Sequence, residues 1–403
     1  MSEWKTIKLG ELYDFKNGVN FNKNQKGDKG ILTIDVLNMY SDNHYVDLDN
    51  LYRVDKNFSD SYFLKKGDIL FVRSSVKREG VGWVSLFLGA SEPVVFCGFI
   101  IRARPIKSKM VDSDFLIYLL RSRKYREIII NRSKQSTITN ISQDNLFDIT
   151  IDLPPIEEQK RIVEILDKAF EGIAQAEANT RRNLINAREL FDSYLNKIFT
   201  EKSGNWKVAT IQDHIKFIDY RGRTPSKTSK GMRLITAKNI KKGFLQSEPQ
   251  EFVDPEIYDS WMIRGIPKKG DILFTTEAPL GNVAQLDTDK KVVFAQRVII
   301  MQPDENYINC TFLKYLLLAQ PIQQRIHKQA TGATAQGIKA SLLKKIVIEF
   351  PEDINCQKEL ILKIEKIEQQ AKKLETIYQR KLEAIAELKQ SILEKAFTGQ
   401  LSQ

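Results

Sequence analysis

The sequence has few of the features that mark disulfide-bonded, secreted or membrane-spanning chains. Only three cysteines, Cys97, Cys310 and Cys356, occur among its 403 residues. They are far apart and odd in number, so a disulfide scaffold is not expected. No uninterrupted apolar run reaches the roughly 18 residues of a membrane span. The N-terminal residues also lack the basic-then-apolar layout of a signal peptide. Together these absences predict a cytoplasmic protein.

Catalytic motifs are equally scarce. The three histidines, His44, His214 and His327, have no second His or Cys at metal-ligand spacing. The sequence contains neither a Gly-x-x-x-x-Gly-Lys-Ser/Thr phosphate loop nor a Gly-x-Ser-x-Gly elbow. Residues 152–155, Asp-Leu-Pro-Pro, are superficially similar to an adenine-methyltransferase loop, but Leu153 interrupts that motif and a helix start explains the segment better. We therefore expect no catalytic residue, no cofactor and no metal in this chain.

Charge is present in excess of one sign. Lys and Arg number 62 against 51 Asp and Glu, which gives a net charge of +11. A basic excess is typical of proteins that bind polyanions, although an excess of this size on a long chain is modest. The length and the 42% of hydrophobic residues are sufficient for two or three domains with cores of their own.

A duplication spans the whole chain. The heptapeptide Lys-Lys-Gly-Asp-Ile-Leu-Phe at residues 65–71 recurs without change at residues 268–274. Other matches keep a similar offset: Val94–Phe96 with Val292–Phe294, Phe115–Leu120 with Phe312–Leu317, Gln159 with Gln357, and Ser193–Thr200 with Ser391–Thr398. Because the offset is near 200 residues, each copy is too long for a solenoid repeat and must contain a domain.

Each copy changes character once. Residues 1–152 and 201–350 contain short β-branched and aromatic runs, broken by Gly, Asn and Asp, that predict strands. Each of these segments also predicts one amphipathic helix, near residues 112–131 and 309–329. In residues 153–200 and 351–403 the apolar residues then alternate spacings of three and four, which indicates a coiled-coil seam. Two long core helices of an ordinary bundle are the alternative.

The predicted fold class is α+β, with two mixed α/β domains at opposite ends of an antiparallel two-helix coiled coil. The second helix must run back along the first, because an apolar seam left in water would be marginal. An approximate twofold would then relate the two halves. The whole positive excess lies on residues 1–152 and 201–350, whereas the helices are close to neutral. Any nucleic acid should therefore bind to the two domains and not to the helices.

Loops that combine cations, amides and hydroxyls are the candidate contacts to nucleic acid, since phosphate oxygens and base edges need such donors. One loop follows the repeated strand, where residues 275–277 of the second copy take the place of residues 73–75. An unchanged framework with a different tip is typical of related readers of different specificity, and simple drift is the alternative. The candidates in the first domain are Arg73, Ser75, Lys77, Arg78, Lys134, Gln135 and Thr137.

The second domain offers a matching set, and the internal helix of the first domain adds a basic stripe. The stripe consists of Arg121, Arg123, Lys124 and Arg126, and it either contacts phosphates or is a solvated face. The candidates in the second domain are Arg221, Arg223, Thr224, Thr276, Lys328, Gln329, Thr334 and Gln336.

The duplicated module, together with Leu-Pro-Pro-Ile-Glu-Glu-Gln-Lys-Arg-Ile at residues 153–162, resembles the DNA-specificity (S) subunit of type I restriction-modification systems. The resemblance spans essentially the entire chain, although residues 351–357 keep only the first Pro and the Gln of that motif. It implies target-recognition domains at 1–152 and 201–350, a central conserved spacer helix at 153–200 and a C-terminal one at 351–403.

The resemblance also implies a function. Each recognition domain would read one half of a split, asymmetric site on double-stranded DNA, and the coiled coil would set the gap between the halves. The coiled coil would dock two methyltransferase (M) subunits, which use S-adenosylmethionine, and restriction/translocase (R) subunits would join for cleavage. This chain itself would be non-catalytic. The alternative is a coiled-coil assembly or adaptor protein whose domains bind proteins, while the missing motifs disfavour a self-contained methyltransferase or nuclease.

Overall fold

The chain folds into two compact units that are built from the same elements. The first unit comprises residues 1–180 together with 380–403, and the second comprises residues 181–379. The computed structural model describes residues 4–41, 43–107, 109–134, 138–222, 224–295, 297–332 and 336–398.

The first unit contains two four-stranded sheets, two short strand pairs and three short helices, followed by the first of two long helices. The strands are β1 (Lys5–Lys8), β2 (Tyr13–Asn17), β3 (Lys26–Gly27), β4 (Ile31–Ile34), β5 (Tyr52–Val54), β6 (Ile69–Val72), β7 (Ser74–Ser75), β8 (Val84–Leu86), β9 (Val94–Phe96), β10 (Ile100–Pro105), β11 (Thr139–Asn140) and β12 (Thr150–Leu153). The helices are α1 (Ser113–Arg121), α2 (Arg123–Arg132), α3 (Gln143–Phe147) and the long α4 (Ile156–Glu201).

The second unit repeats this plan, and its domain is followed by the second long helix, whose residues from 380 onward belong to the first unit. Its strands are β13 (Trp206–Thr210), β14 (Ile215–Asp219), β15 (Lys227–Thr228), β16 (Met232–Ile235), β17 (Glu251–Val253), β18 (Ile272–Thr275), β19 (Val283–Gln285), β20 (Val293–Phe294), β21 (Val298–Pro303) and β22 (Val347–Pro351). Its helices are α5 (Ile211–His214), α6 (Tyr258–Trp261), α7 (Cys310–Leu318), α8 (Gln320–Lys328), α9 (Ala340–Lys344) and the long α10 (Ile354–Phe397).

The sheets have the same strand order in both units, as a duplication requires. The order β2-β10-β6-β8 recurs as β14-β21-β18-β19, and β3-β5-β4-β9 recurs as β15-β17-β16-β20. All neighbours are antiparallel except β4 with β9 and β16 with β20. The two copies therefore fold as one α+β design, which confirms the predicted internal repeat.

The repeated heptapeptide is a turn followed by a strand that is buried on both faces. The backbone N–H of Lys65 donates to the Asp68 carboxylate at 2.7 Å, and Gly67 takes a left-handed φ of +91° that suits glycine. Because successive strand residues face opposite sides, Ile69 and Phe71 enter one core while the residues between them enter another. The buried Asp-Ile-Leu-Phe part of the run is under packing constraint, which accounts for its identity in both copies.

The predicted helix near residues 112–131 is two helices, α1 and α2, and its counterpart is likewise divided into α7 and α8. Ser122 breaks the first pair with an extended backbone (ψ 151°), and its hydroxyl donates to the Leu119 carbonyl at 2.6 Å. In the second unit Ala319 is extended (ψ 140°), and Pro321 follows it in the first turn of α8. An apolar periodicity that continues across the break conceals it in the sequence.

The two long helices run antiparallel within each unit, as their apolar seams predict. In the first unit Ile162, near the start of α4, shares one buried cluster with Leu393, near the end of α10. Farther along, Lys389 Nζ lies 2.6 Å from the Glu177 carboxylate, so residue numbers fall on α10 as they rise on α4. In the second unit Arg188 and Glu375 pair at 3.3 Å in the same sense. No helix in the described ranges is long and apolar enough to cross a membrane.

One glutamine in each unit joins the long helix to the domain that precedes it in the chain. The Gln159 amide is fully buried, donates to the carbonyls of Pro154 at 2.7 Å and Met110 at 3.0 Å, and accepts from Asp112 N at 2.8 Å. Gln357 makes the same three hydrogen bonds to Pro351, Tyr307 and Asn309, at 2.8–2.9 Å. The glutamine that recurs in both helix starts is therefore a structural residue.

Candidate nucleic-acid interface

In the first unit, the loop after β6 and the hairpin before α3 lie side by side and form a polar cleft. The Arg73 backbone donates to Phe99 O at 2.7 Å and accepts from Ile141 N at 2.9 Å. Lys134 and Asn140 exchange two backbone hydrogen bonds, at 2.8 and 3.1 Å, which close the hairpin. The cleft, of about 600 Å³, is lined by the side chains of Arg73 and Lys134, so two of the predicted site residues come together.

The second unit has an equivalent cleft on the same backbone frame. Thr276 donates to Arg297 O at 2.9 Å and accepts from Ile338 N at 3.0 Å, while Thr331 and Gly337 exchange backbone bonds at 2.9 and 3.0 Å. This second cleft has about 400 Å³. Its lining includes three cations, Arg221, Arg297 and Lys339. Thr276 and Glu277 also line it.

These hydrogen bonds establish the register of the two loops. Thr276 occupies the place of Arg73, so the sequence alignment of residues 275–277 with 73–75 is wrong by one residue. The identical heptapeptide gives the same register, because Arg73 and Thr276 each lie two residues after its final Phe. On the shared frame the cleft side chains differ: Arg73 corresponds to Thr276, Phe99 to Arg297, Lys134 to Thr331, and Asn140 to Gly337.

The loop after β6 presents its cations to solvent. Lys77 and Arg78 are exposed, and Arg78 reaches Asn131 Oδ1 only at 3.5 Å. Ser75 is half-buried beside Tyr40, whose phenol has its pKa raised by burial. Val76 at the tip is 83% exposed. This tip can reach a polyanion without rearrangement of the core.

The predicted residues of the second unit have mixed environments. The Arg221 guanidinium is held by the Asp219 carboxylate through two hydrogen bonds at 2.7 and 2.8 Å, and its side chain stays 29% exposed. Thr276 is only 3% exposed and forms the floor of the cleft, so it shapes the site more than it presents a group to a ligand. The remaining described candidates, Thr224, Lys328, Gln329 and Gln336, are exposed.

Four predicted contact residues cannot be placed. Gln135, Thr137, Arg223 and Thr334 lie outside the described residues. Each is adjacent in sequence to a described candidate, since Lys134 precedes the first two, Thr224 follows Arg223, and Gln336 comes shortly after Thr334.

The prediction that the internal helix carries one exposed basic stripe is wrong. Arg121 and Arg126 are turned inward to backbone carbonyls, and burial lowers the pKa of each guanidinium to about 10. Arg123 and Lys124 are exposed but paired, with Glu127 at 3.0 Å and Asp152 at 3.1 Å. Even on a continuous helix, at about 100° per residue, Arg121 and Lys124 would lie opposite Arg123 and Arg126, so the four cations form no single stripe.

Sequence reasoning missed Arg297 and Lys339 of the second cleft. Arg297 has a left-handed φ of +75° and its Nε lies 3.0 Å from the Glu277 carboxylate. The available signal was its place beside a repeated strand, where the first copy has the exposed Phe99. Lys339 gives no signal of this kind, because only the folded hairpin brings it to the cleft.

The two clefts carry the groups needed to bind a polyanion. Guanidinium, ammonium, amide and hydroxyl groups can donate to phosphate oxygens and to base edges. Within the described ranges there is no cluster of three His, Cys, Asp or Glu side chains that could hold a metal ion. The donor set therefore fits a polyanion.

Two copies of one domain, each with its own polar cleft, define a bipartite binding protein. The model of the type I restriction modification DNA specificity domain matches residues 1–187 and again residues 204–385. The chain thus belongs to the family of type I restriction-modification specificity subunits, and it carries the family's domain twice.

Individual relatives agree with this membership. The type I restriction enzyme MjaVIII specificity subunit of Methanocaldococcus jannaschii is 24% identical over 316 residues, which cover 73% of this chain and 72% of the relative. A chain from a solved structure on complex assembly and conformational transition of the type I R-M system has a TM-score of 0.77 at 17% identity, covering 98% of this chain and 97% of the other. The HsdS subunit of Thermoanaerobacter tengcongensis has a TM-score of 0.59 at 18% identity, with the same coverage.

Proposed function

We propose that this chain is the non-catalytic DNA-reading subunit of a type I restriction-modification complex, and that each unit reads one half of a split site. The observation that carries the proposal is the pair of equivalent clefts, in which one backbone frame holds different side chains. A bipartite, asymmetric DNA site requires two domains that share one backbone arrangement and differ in the side chains that contact the bases. The basic excess on the two domains favours DNA as the ligand.

The cations, amides and hydroxyls of each unit that retain solvent exposure are the proposed contacts. In the first unit these are Arg73, Ser75, Lys77, Arg78 and Lys134. In the second unit they are Arg221, Thr224, Lys328, Gln329 and Gln336, with Thr276 as the cleft floor. Gln135, Thr137, Arg223 and Thr334 remain candidates from the sequence alone. Lysines would bind phosphates and supply most of the affinity, while arginines, amides and hydroxyls would read base edges.

The proposal extends to organisation and partners. Target-recognition domains at 1–152 and 201–350 would be separated by spacer helices at 153–200 and 351–403. The helices would hold the domains at opposite ends, set the gap between half-sites, and dock two methyltransferase subunits that bind S-adenosylmethionine. Restriction/translocase subunits would complete the complex in the cytoplasm. These points rest on the family membership and on the antiparallel helix pairing within each unit.

A domain exchange tests the bipartite reading. Residues 201–350 are replaced by the corresponding segment of another specificity subunit, and the full chain with its methyltransferase partner is used to select from random duplex DNA. We expect one half of the selected site to change and the other half to stay. A change in both halves, or in neither, would contradict the proposal. Absence of DNA binding at low salt would favour the protein-binding adaptor instead.

The salt dependence of binding tests the phosphate contacts. Replacing the exposed Lys134 by alanine removes one phosphate contact, so the slope of log K against log salt should become smaller by about 0.9. The expected loss of affinity is similar for every sequence. The matched control is Lys160→Ala on α4, where the exposed lysine lies outside both clefts. Equal slopes for the wild type and Lys134→Ala would remove Lys134 from the proposed contacts.

A further inference from the structure

Two half-buried arginines lie over one tryptophan behind the exposed loop of the first unit. The guanidinium carbon of Arg121, on α1, lies 4.6 Å from the centre of the Trp83 ring, and that of Arg126, on α2, lies 5.5 Å from it. Both distances fall within the range of cation–π attraction. The tryptophan comes directly before β8, at the point where the loop after β6 returns to the sheet.

The hydrogen bonds of both guanidinium groups go mainly to backbone carbonyls. Arg126 Nη2 donates to Glu79 O at 2.6 Å and to Val81 O at 2.8 Å. Arg121 donates to Val84 O from two nitrogens at 2.7 and 3.0 Å, and to Asn43 O at 3.0 Å. Burying a cation against neutral acceptors is costly. We therefore infer that these two arginines are retained because they hold those carbonyls in place.

The carbonyls bound by Arg126 belong to the loop that carries the proposed DNA contacts. Glu79 lies inside the turn Arg78–Gly80, which directly follows Lys77. At the base of the loop, Gly82 adopts φ +63°, and a Cβ there would lie 2.1 Å from Ile129 Cγ2 of α2. Helix α2 therefore touches the loop through backbone packing and through one guanidinium, on the side away from the exposed tip.

The second unit fixes its shorter loop with amides. Gln323 takes the place of Arg126 on α8, and its Nε2 donates to Gly281 O at 3.0 Å. Asn282 takes the place of Trp83, and its Nδ2 donates to Ile240 O at 2.8 Å. Gln323 thus bonds a carbonyl at the end of the loop, one residue beyond the position of Val81, and Asn282 bonds a residue outside the loop. Residues 73–81 form a longer loop than residues 276–280. The longer side chain of arginine lets α2 reach the carbonyls of this loop in the first unit.

We propose that Arg126, supported by Trp83, is a positioning residue that sets specificity at the DNA half-site read by the first unit. This inference rests on the proposed function. Arg126 holds the turn Arg78–Gly80 in its bound conformation before DNA arrives, so that Lys77 and Arg78 meet the duplex without an ordering cost. Gln323 has the same role for the half-site read by the second unit.

Arg126→Ala tests the inference in the full chain bound to its methyltransferase partner. Arg123→Ala is the matched control, because it removes the same charge from the same helix while Arg123 pairs only with Glu127 in the described contacts. Selection from random duplex DNA gives the base preference at each half-site. We expect Arg126→Ala to reduce discrimination at one half-site by about tenfold, the scale of one lost specific contact, and to leave the other half-site unchanged. Gln323→Ala should affect the opposite half-site.

Two further measurements separate positioning from stability. Amide hydrogen exchange in residues 77–82 should accelerate in Arg126→Ala, and Arg126→Gln, which borrows the amide of the second unit, should restore part of the preference. If Arg126→Ala does not fold, Arg126→Gln and Trp83→Phe carry the same half-site comparison.

Several results would overturn the inference. One is a loss of affinity in Arg126→Ala equal to that in Arg123→Ala, with both half-site preferences intact. Another is a lower melting temperature for Arg126→Ala with unchanged preference. If the wild-type complex selects no split sequence at all, the proposed function fails, and this inference fails with it.

Discussion

Gln159 and Gln357 illustrate how single side chains determine which parts of this chain pack together. Each amide uses three hydrogen bonds to bind backbone groups that the neighbouring elements leave unpaired. Both side chains have no solvent exposure, so no water can replace the lost partners. The exposed cations of the clefts are the opposite case, because their environment leaves them available to a ligand.

Gln159→Leu should destabilise the first unit strongly. Leucine has a similar volume but leaves the Pro154 and Met110 carbonyls and the Asp112 N–H without partners, at about 1–3 kcal/mol for a buried group. We expect a loss of about 3 kcal/mol in the free energy of unfolding, measured by urea denaturation. Gln357→Leu should have a comparable effect. Lys160→Ala, at the exposed neighbour, should change the free energy by less than about 0.5 kcal/mol. An equal effect of Lys160→Ala would contradict this role.

At the scale of elements, ion pairs join the long helices to their domains. In the second unit Glu349 on β22 accepts from Lys202, just beyond α4, and from Arg325 on α8 at 2.8 Å. These hydrogen bonds, first from Lys202 and then from Arg325, hold the pKa of the Glu349 carboxyl below its ordinary value of 4.5. The Glu349 carboxylate therefore links β22 to α8 and to the segment just after α4. The packing of these elements should depend on pH.

The sign of that dependence follows from linkage. A carboxyl whose pKa is lower in the folded chain stabilises it above the unfolded pKa, and this contribution is lost as the pH falls through the folded value. Glu349→Gln should therefore unfold about 1–2 kcal/mol more easily at pH 7, and the difference from wild type should shrink below about pH 4. Urea denaturation across this pH range measures the effect. The control, Glu352→Gln at an exposed position, should differ little from wild type at any pH. A difference that grows as the pH falls would contradict the assignment.

The element scale also explains the basic residues on α1 and α2. At about 100° per residue these four cations would be spread around a helix and would form no single face. Arg121 and Arg126 turn inward, whereas Arg123 and Lys124 stay outside. Arg126 then bonds the loop after β6, and Arg121 bonds the start of β8.

At the scale of the whole molecule, the duplication gives two readers and two long helices. The helical periodicity is regular enough that the helices can act as a spacer of defined length. If the coiled coil sets the gap between half-sites, its length and the length of the gap must change together, while the bases that each domain reads remain the same.

Deleting one heptad from the middle of each long helix tests the spacer. Seven residues keep the apolar seam on one face and shorten each helix by about 10 Å, or about three base pairs. We expect the selected gap to become about three base pairs shorter with both half-sites retained. Deleting a heptad from α4 alone breaks the pairing and should abolish binding to the split site. An unchanged gap in the double deletion would rule out the spacer role.

The duplication, the strand-rich domains and the antiparallel helix pair could all be predicted from the sequence. Each of them leaves a periodic or repeated signal along the chain: an offset near 200 residues, an alternation of two in strands, and a three–four spacing in helices. The Asp-Ile-Leu-Phe run is repeated because both of its faces are buried. The family follows from the same repeated features, because they extend over the whole chain.

Only the tertiary structure decided how the clefts are composed and what lies behind them. Arg73 meets Lys134 because two segments some sixty residues apart share a hairpin frame, and Lys339 reaches the second cleft in the same way. The inward orientation of Arg121 and Arg126 likewise depends on contacts between distant segments. The sequence by itself determined the repeated elements, because those depend on local periodicity. Packing determined which side chains face a ligand, because exposure depends on every segment that folds against them.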